Sequence, residues 1–415
     1  MHAQVRSARP MRDGAAVVYV SHAIPSEVGH GGNHRAYQIL CDLEAAVGQS
    51  HVALFSVPQW RIARPPAWQF HTSRPGHLRR FASRAERWWA RTAGNPYRLF
   101  SRAAFNSVVP FAPRGLLNPD FIDEYDRGLG KLAQPAVCIL EQSGFSELID
   151  VNARHGIPTV SACQNIEAFD VVDIDFASKR SVYAVTHDLA NELRVLARCA
   201  ERLVISRVEA GVIGGLGLEC QYYPYLPVGA IRERLANIRR NRAAGCSSPG
   251  MFLVLGSPEH LPTGKSVSWL VEQAQTRGLP PDVRIIVVGK GADGLLPPGA
   301  TVRGIELRGW VAQEELDALM LEAAAVLVPQ RMGFGALTRL PELACAGIPV
   351  IAAQHPTFAI DPTPGLYVVA SNWDDWCSAL SDLRQRRVHI SDDEYAAWEE
   401  RQPKPLENVL GRFLR

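Results

Sequence analysis

The residues best suited to hold a charged ligand lie between 329 and 352, where Gly333 and Gly335 precede Arg339 and Glu342. Glycine lets the backbone come close to a ligand. A short helical pattern starts directly after the two glycines, and the first backbone N–H groups of a helix have no partner within it. The loop can therefore aim N–H groups at an anion such as a phosphate group.

The elements around these glycines follow the order of a phosphate-binding βαβ unit. The apolar run 323–328 has no polar alternation, which predicts a buried parallel strand. A helix is predicted over 338–345, and Gly347 and Pro349 end it. A second strand is predicted over 350–353. The pattern indicates an α/β sheet with the glycine loop at the carboxyl end of a strand.

This pattern resembles the donor-binding signature of the GT-B glycosyltransferases, in the class called glycosyl transferases group 1, which is retaining and family 4-like. The shared positions are Gly333, Gly335, Arg339, Glu342, Gly347, Pro349 and Val350. The resemblance implies that Glu342 hydrogen-bonds the ribose hydroxyls of a nucleotide sugar. Many members carry an earlier glutamate just before the first glycine, where this chain has Arg331 and Met332.

The resemblance also implies the fold, an α/β architecture of two Rossmann-like domains that face each other across a cleft. Residues 1–228 would bind the acceptor, residues 229–390 would bind the nucleotide sugar, and a helix in 391–415 would cross back to the first domain. The polar segment 232–249 is interpreted as a linker with the entry to the second domain. The donor-binding residues expected on this basis are Gly31, Gly32, Gly256, Ser257, Lys265, Gly309, Trp310, Val311, Gly333, Phe334, Gly335, Ala336, Leu337, Thr338, Arg339 and Glu342.

A second glycine pair, Gly31 and Gly32, follows the first predicted strand, 15–20, in a loop that runs to Arg35, where a helix is predicted to start. Sheets of this kind bind ligands at the carboxyl ends of their strands. The same family typically has a proline, two glycines and an arginine here, and Pro25 supplies the proline. The alternative is a turn that uses glycine for a positive φ. The acceptor-binding residues expected are His30, Gln164, Asn165 and Glu167, the last two of which can equally cap a helix.

Three further motifs predict no site. The triplet 264–266 reads Gly-Lys-Ser, but Glu259 stands where a P-loop needs glycine, which argues against an NTPase. Residues 289–294 match GxGxxG, but the prolines at 297–298 forbid the helix that an NAD site requires, so a turn is predicted. Residues 173–175 read Asp-Ile-Asp, the metal motif of another glycosyltransferase fold, with no strand directly before them. We expect no metal and no cofactor.

Length and composition are those of an ordinary globular protein. A chain of 415 residues predicts two domains, each large enough for a core. The eight cysteines form no CxxC pair, which favours a reduced protein over a disulfide scaffold or zinc site. No apolar run approaches the length of a membrane span, and the N-terminus lacks the apolar core of a signal peptide. A cytoplasmic location is expected.

The net charge of +2 conceals a basic region. Between 61 and 114 there are eleven arginines and one acid, Glu86. Residues 77–91 combine an apolar stripe at helical spacing with an arginine-rich face, which fits an anionic membrane or a phosphate-bearing acceptor. The alternative is an ordinary helix packed on the sheet. The membrane contact would use Arg79, Arg80, Arg84, Arg87 and Arg91; no nucleic-acid partner is expected.

The resemblance implies a hexosyltransferase-like enzyme of polysaccharide or glycoconjugate biosynthesis, which moves a sugar from a nucleoside diphosphate sugar to a glycan, glycolipid or small-molecule acceptor. Retention is implied by the resemblance, and Lys265 and Arg339 are expected to stabilise the diphosphate without a metal. His22, His30 and Glu141 lie near strand ends, and no general base is assigned. The alternatives are a non-catalytic partner or scaffold of another transferase, and a sugar-nucleotide epimerase or hydrolase.

Overall fold

The computed structural model describes residues 17–21, 23–56, 61–64, 119–142, 145–166, 168, 179–245, 248–331, 335–370, 372–386 and 388–414. Within this part of the chain, the strands form two sheets. The predictions that lie outside the described residues concern the helix over 77–91 with its arginines, the triplet 173–175, Glu167, Gly333 and Phe334.

The first sheet has the strand order β3-β2-β1-β4-β5-β6-β7, and its pairs are parallel except for β2 with β3. Its strands are β1 Val17–Ser21, β2 Val52–Ser56, β3 Arg61–Arg64, β4 Val137–Leu140, β5 Thr159–Cys163, β6 Glu201–Val204 and β7 Gln221–Tyr222. The helices between them are α1 Gly31–Val47, α2 Pro119–Leu129, α3 Ser146–Arg154, α4 Lys179–Arg198 and α5 Arg207–Gly215.

The second sheet has the order β10-β9-β8-β11-β12-β13 and is parallel. Its strands are β8 Met251–Leu255, β9 Arg284–Val288, β10 Ile305–Arg308, β11 Ala325–Val328, β12 Val350–Ala353 and β13 Leu366–Val369. The helices are α6 Gly229–Ala243, α7 Leu261–Arg277, α8 Gln313–Glu322, α9 Arg339–Cys345, α10 Gln354–Thr357, α11 Trp373–Gln385, α12 Asp392–Glu400 and α13 Pro405–Phe413.

Both sheets are covered by helices on both faces. In β1, Val17 and Tyr19 pack on one side of the sheet, and Val18 and Val20 pack on the other side with Phe121. Alternate residues of a strand point to opposite faces, so a strand buried on both sides is apolar throughout. The strand order reverses between β1 and β4 and between β8 and β11, the points where such sheets bind ligands. The predicted architecture of two Rossmann-like α/β units is confirmed.

Helix α1 starts earlier than predicted, at Gly31 and not at Arg35. His30 caps it: its Nδ1 accepts a hydrogen bond from the N–H of Gly32 at 3.1 Å, and Asn33 Oδ1 accepts one from the N–H of His30 at 3.0 Å. This reciprocal capping satisfies donors that a helix start leaves open. The sequence pattern missed the start because glycine has a low helix propensity. The glycine pair is thus the first turn of α1 and not a loop.

The segment predicted as a linker over 232–249 is largely helical, since α6 occupies most of it. Helix α6 buries Ile231, Leu235 and Ile238, and it packs against α8 and α9. Ile231, Leu235 and Ile238 are spaced by four and then three residues, which places them on one helix face. The charged residues around them hid this pattern. One of these, Arg242, is itself buried because it donates hydrogen bonds to backbone carbonyls at the end of α8.

The C-terminal segment 391–415, predicted as one helix, forms the two helices α12 and α13. Pro403 lies between them, and proline cannot continue a helix because it has no N–H group. Helix α12 packs Tyr395 and Trp398 into a core of the second sheet, whereas α13 packs Val409 onto the first sheet. The segment therefore passes from the second unit to the first.

Candidate functional site

A cleft of about 760 Å³ lies between the two sheets, beyond the carboxyl ends of their strands. Its walls come from the start of α1 in the first unit and from the starts of α7 and α9 in the second. The residues from the sequence prediction that line it are His30, Gly31, Gly32, Gln164, Asn165, Gly256, Ser257, Gly335, Ala336, Leu337, Thr338, Arg339 and Glu342.

Four predicted donor residues do not line this cleft. Lys265 is exposed on α7. The carbonyl of Gly309 accepts a hydrogen bond from the N–H of Gly289 at 3.1 Å. The side chain of Trp310 is exposed at the surface, and Val311 packs against an apolar core. The GxGxxG stretch that contains Gly289 forms a turn, as predicted, with a short 3-10 helix in place of an α-helix.

Arg339 supplies a positive charge at the start of α9. Its guanidinium donates a hydrogen bond to the carbonyl of Leu255, the last residue of β8. Burial lowers the pKa of Arg339, but a guanidinium keeps its proton in proteins. Gly256 has φ +141°, and a Cβ there would lie 2.9 Å from Arg339 Nη1. The glycine is therefore required both for the turn after β8 and for the close approach of Arg339.

The first turn of α1 meets the start of α9 across the cleft. A Cβ on Gly31 would collide with the side chain of Thr338, the residue that precedes α9. A Cβ on Gly32 would lie 2.9 Å from Gln164 Oε1. Only glycine fits at these positions without a shift of a neighbour. The positive end of the α1 dipole and its first N–H groups consequently lie at the cleft.

Glu141 holds the start of α1 in place through Gln164. It is fully buried after β4; its Oε1 accepts a hydrogen bond from Gln164 Nε2 at 2.6 Å, and its Oε2 accepts one from Ser21 Oγ at 3.0 Å. Gln164 Nε2 also donates to the carbonyl of Gly32 at 3.0 Å. Gln164, predicted to meet an acceptor, is thus held against α1. From the sequence, Glu141 was only a residue near a strand end, and its hydrogen bonds with Gln164 and Ser21 could not be foreseen.

Glu342 is held by two residues that the sequence did not identify. Its Oε1 lies 2.7 Å from His34 Nδ1 and accepts a hydrogen bond from Tyr225 Oη at 2.8 Å. His34 is on α1, three residues after Gly31, and residues at that spacing share a helix face. This spacing is the signal that could have identified His34. Tyr225 carries no comparable signal, because it lies in an irregular segment between β7 and α6.

Arg35 ties α1 to that irregular segment. It is buried, and its guanidinium donates to the carbonyls of Tyr223 at 2.8 Å and Pro224 at 3.0 Å. It also donates to Gln38 Oε1 at 2.6 Å and stacks over the Tyr223 ring at 4.0 Å. Arginine is suited to this role because its planar group offers several donors and stays charged. The predicted match of Arg35 to the family pattern thus falls on a structural residue.

His260 contributes a second nitrogen group beside Arg339. It is the N-cap residue of α7, and its Nδ1 lies 3.3 Å from Thr263 Oγ1. Partial burial and the positive charge of Arg339 lower the pKa of His260 below the usual 6.5. The imidazole is consequently neutral near pH 7 and can donate or accept one hydrogen bond at each nitrogen.

Two features are absent from the described residues. No group of three or more His, Cys, Asp or Glu side chains in this part of the chain could hold a metal ion. Among the same residues, no helix is both long enough and apolar enough to cross a membrane.

No protein-family model matches the chain, and no curated protein matches its sequence. Several solved structures share its fold. Sucrose-phosphate synthase from Thermosynechococcus elongatus is 14% identical, with 96% of this chain and 98% of that chain covered and a TM-score of 0.61. HepE from Anabaena in complex with UDP is 10% identical, with 95% and 98% covered and a TM-score of 0.55. The catalytic domain of starch synthase IV from Arabidopsis thaliana, bound to ADP and acarbose, is 10% identical, with 97% and 99% covered and a TM-score of 0.53.

These matches extend over nearly the whole of each chain, so they concern the arrangement of both Rossmann-like units and not one unit alone. At 10% to 14% identity, the likeness is one of fold. The chain has the GT-B fold of these glycosyltransferases.

Proposed function

We propose that this protein is a glycosyltransferase that moves a sugar from a nucleoside diphosphate sugar to a glycan, glycolipid or small-molecule acceptor. One observation carries the proposal. The predicted donor residues Thr338, Arg339 and Glu342 line a single cleft, and Gly31 of the other unit reaches the same place. A cation, a carboxylate and a helix start are the groups that a nucleoside diphosphate needs.

The donor would bind to the second unit, with Glu342 accepting hydrogen bonds from the ribose hydroxyls and Arg339 beside the diphosphate. When the bond to the sugar breaks, negative charge grows on the leaving diphosphate. Preorganised positive groups stabilise such charge more in the transition state than in the ground state. Arg339 and the positive end of the α1 dipole lie at the cleft and suit this role.

The acceptor would approach from the first unit. His30 caps α1 through Nδ1, so its Nε2 carries the proton and can donate to a hydroxyl group. This tautomer is inferred from the hydrogen bond to the N–H of Gly32. Asn165 lies on the same wall of the cleft. Closure of the cleft around both substrates would exclude water and limit hydrolysis of the donor.

The ligands of the structural neighbours support a nucleotide as the ligand class. HepE has a structure in complex with UDP-glucose, and the catalytic domain of starch synthase IV has one with ADP and acarbose. Four finer features belong to the proposal: retention at the anomeric carbon, catalysis without a metal, a cytoplasmic location, and membrane contact through the arginines between 79 and 91. Retention follows from the sequence resemblance, catalysis without a metal from the positive groups expected at the diphosphate, the location from the cysteine pattern, and membrane contact from the charge pattern.

The experiment is a thermal-shift panel of UDP, GDP, ADP and dTDP and their common sugars, with wild type and Glu342→Ala. We expect one nucleotide to raise the melting temperature of wild type and to lose most of that effect in the variant, since ligands that bind only the folded state stabilise it. Donor turnover with and without candidate acceptors then tests sugar transfer. Absence of any shift for wild type would contradict the proposal.

The exposed position of Lys265 favours one alternative, a nucleotide-binding protein that does not transfer sugar. This lysine was predicted to reach the diphosphate, and it lies outside the cleft. A protein of that kind would show the melting-temperature shift but no release of nucleotide from the donor. An epimerase or hydrolase would instead consume the donor without an acceptor. Turnover assays separate these cases from transfer.

A further inference from the structure

The cluster of His34, Tyr225 and Glu342 joins three parts of the chain that are distant in sequence. His34 belongs to α1 of the first unit, Tyr225 to the segment between the sheets, and Glu342 to α9 of the second unit. The His34 side chain is 10% exposed and the Glu342 side chain 18% exposed. The contact is therefore screened from water but not closed to a ligand, since both residues line the cleft.

Both donors act on the same oxygen of Glu342. The distances to Oε1 are 2.7 Å from His34 Nδ1 and 2.8 Å from Tyr225 Oη. Burial and the carboxylate of Glu342 raise the pKa of Tyr225 well above its usual value, so its hydroxyl keeps its proton and donates. Among the described residues no hydrogen bond to Oε2 is seen. Two donors on one oxygen fix the rotation of the carboxylate and leave the other oxygen for a ligand.

The two donors are themselves fixed relative to each other. Arg35, next to His34, holds the carbonyls of Tyr223 and Pro224, which directly precede Tyr225. Helix α1 and this segment therefore behave as one rigid support. Glu342 comes to that support from the second unit, so its orientation depends on the arrangement of both units.

We propose that His34 and Tyr225 are positioning residues that hold the Glu342 carboxylate with Oε2 directed to the donor ribose. The inference rests on the proposed function and deepens it, because it makes ribose recognition depend on residues of the other unit and of the connecting segment. The nucleotide sugar then meets a carboxylate that is already oriented to accept its hydrogen bonds. Binding therefore does not include the cost of ordering the Glu342 side chain.

The test measures the dissociation constants of UDP, ADP and GDP and of their 2′-deoxy forms by calorimetry, with the full chain. Wild type should prefer the ribose form of the nucleotide that it binds. Tyr225→Phe removes one hydrogen bond to Oε1 and should reduce this preference about fivefold. Tyr223→Phe is the matched control, since it removes the same atom from a neighbouring tyrosine whose hydroxyl donates to Asp42 and not to Glu342. Its preference should equal that of wild type.

Two further comparisons separate positioning from a structural role. In a Glu342→Ala background, Tyr225→Phe should leave the ribose preference unchanged, because the residue through which it acts is missing. His34→Leu should reduce the preference, whereas His34→Gln, which keeps an N–H donor, should retain most of it. A merely structural role would lower the melting temperature without a change in this ratio.

The outcomes distinguish this inference from the proposed function. If wild type binds a nucleotide and Tyr225→Phe binds the ribose form as selectively or more tightly, the positioning role is refuted and nucleotide binding stands. Equal binding of ribose and 2′-deoxy forms by wild type also refutes it. If wild type binds none of the nucleotides, both the inference and the proposed function fail.

Discussion

The substitution Gly31→Ala tests the contact between the two units with the addition of one methyl group. Gly31 is the first residue of α1 and has a negative φ, so alanine is compatible with its backbone. The new Cβ would collide with Thr338 Oγ1, and it would lie 3.3 Å from both Cβ and Cγ2 of the same threonine. Rotation of Thr338 about χ1 can turn Oγ1 away from the new methyl group, but it leaves the Cβ of Thr338 at 3.3 Å. Full relief of this tight approach therefore requires a backbone shift at the contact between the units.

Gly31→Ala has two opposite effects on the free energy of unfolding. Alanine in place of glycine stabilises a helix interior by roughly 0.5 to 1 kcal/mol, and less in the first turn. Insertion of a methyl group into a packed contact costs about 1 to 3 kcal/mol. The unfavourable contact with Thr338 should outweigh the gain in helix propensity, so we expect the free energy of unfolding to fall by about 1 to 2 kcal/mol. Nucleotide binding should weaken as well, since separation of the units strains the contact of His34 with Glu342.

Urea and thermal denaturation of the purified variant measure the first effect, and nucleotide titration measures the second. Gly211→Ala on α5 is the matched control: a Cβ there meets nothing within 4 Å, so it should be neutral or stabilising by roughly 0.5 to 1 kcal/mol. The double variant Gly31→Ala with Thr338→Ala should recover most of the loss. If Gly31→Ala is as stable as its control and binds nucleotide like wild type, the contact between the units has been misassigned.

Three more substitutions test the roles of single side chains in stability. Arg35→Met leaves the buried carbonyl of Tyr223 without its donor and should lower the free energy of unfolding in urea by about 3 kcal/mol. Gly256→Ala forces alanine into φ +141° against Arg339, so it should cost about 2 kcal/mol and reduce nucleotide affinity in titrations. The pKa of His260 is lowered in the folded state, so its contribution to stability is present above pH 6.5 and is lost as pH falls through the lowered value. Thermal denaturation against pH should show a smaller decline for His260→Gln.

Strands of the second sheet could be predicted because parallel sheets require continuous apolar runs. The run 323–328 contains β11, and the predicted strand 350–353 coincides with β12. A helix start after a strand and a glycine turn then places Arg339 and Glu342 at the strand ends by connectivity alone. This part of the site follows from local sequence, and the structure brings those two residues to the cleft.

The contacts between the units could not be predicted in the same way. The hydrogen bond between His34 and Glu342 joins positions 308 residues apart, and no periodicity in either helix specifies its partner. The start of α1 was hidden by the low helix propensity of Gly31. Helix α6 differs, since its buried residues do show helical spacing, but its arginines suggested a solvated linker. Such arginines are buried only because carbonyls far along the chain accept their hydrogen bonds, and a single sequence does not reveal those carbonyls.

Arginine side chains join helices to neighbouring elements within the second unit. Arg242 donates to carbonyls at the end of α8, where the negative end of the helix dipole adds to the attraction, and Arg339 joins α9 to β8. Removal of the Arg242 guanidinium would leave several carbonyls without this donor, and removal of the Arg339 guanidinium would leave the Leu255 carbonyl without it. At the cleft, by contrast, His34 and Glu342 are joined through one pair of side-chain atoms, so less free energy is lost when this contact breaks. The two units should therefore separate at the cleft before either sheet unfolds, and a ligand that bridges both would be the main stabiliser of the closed arrangement.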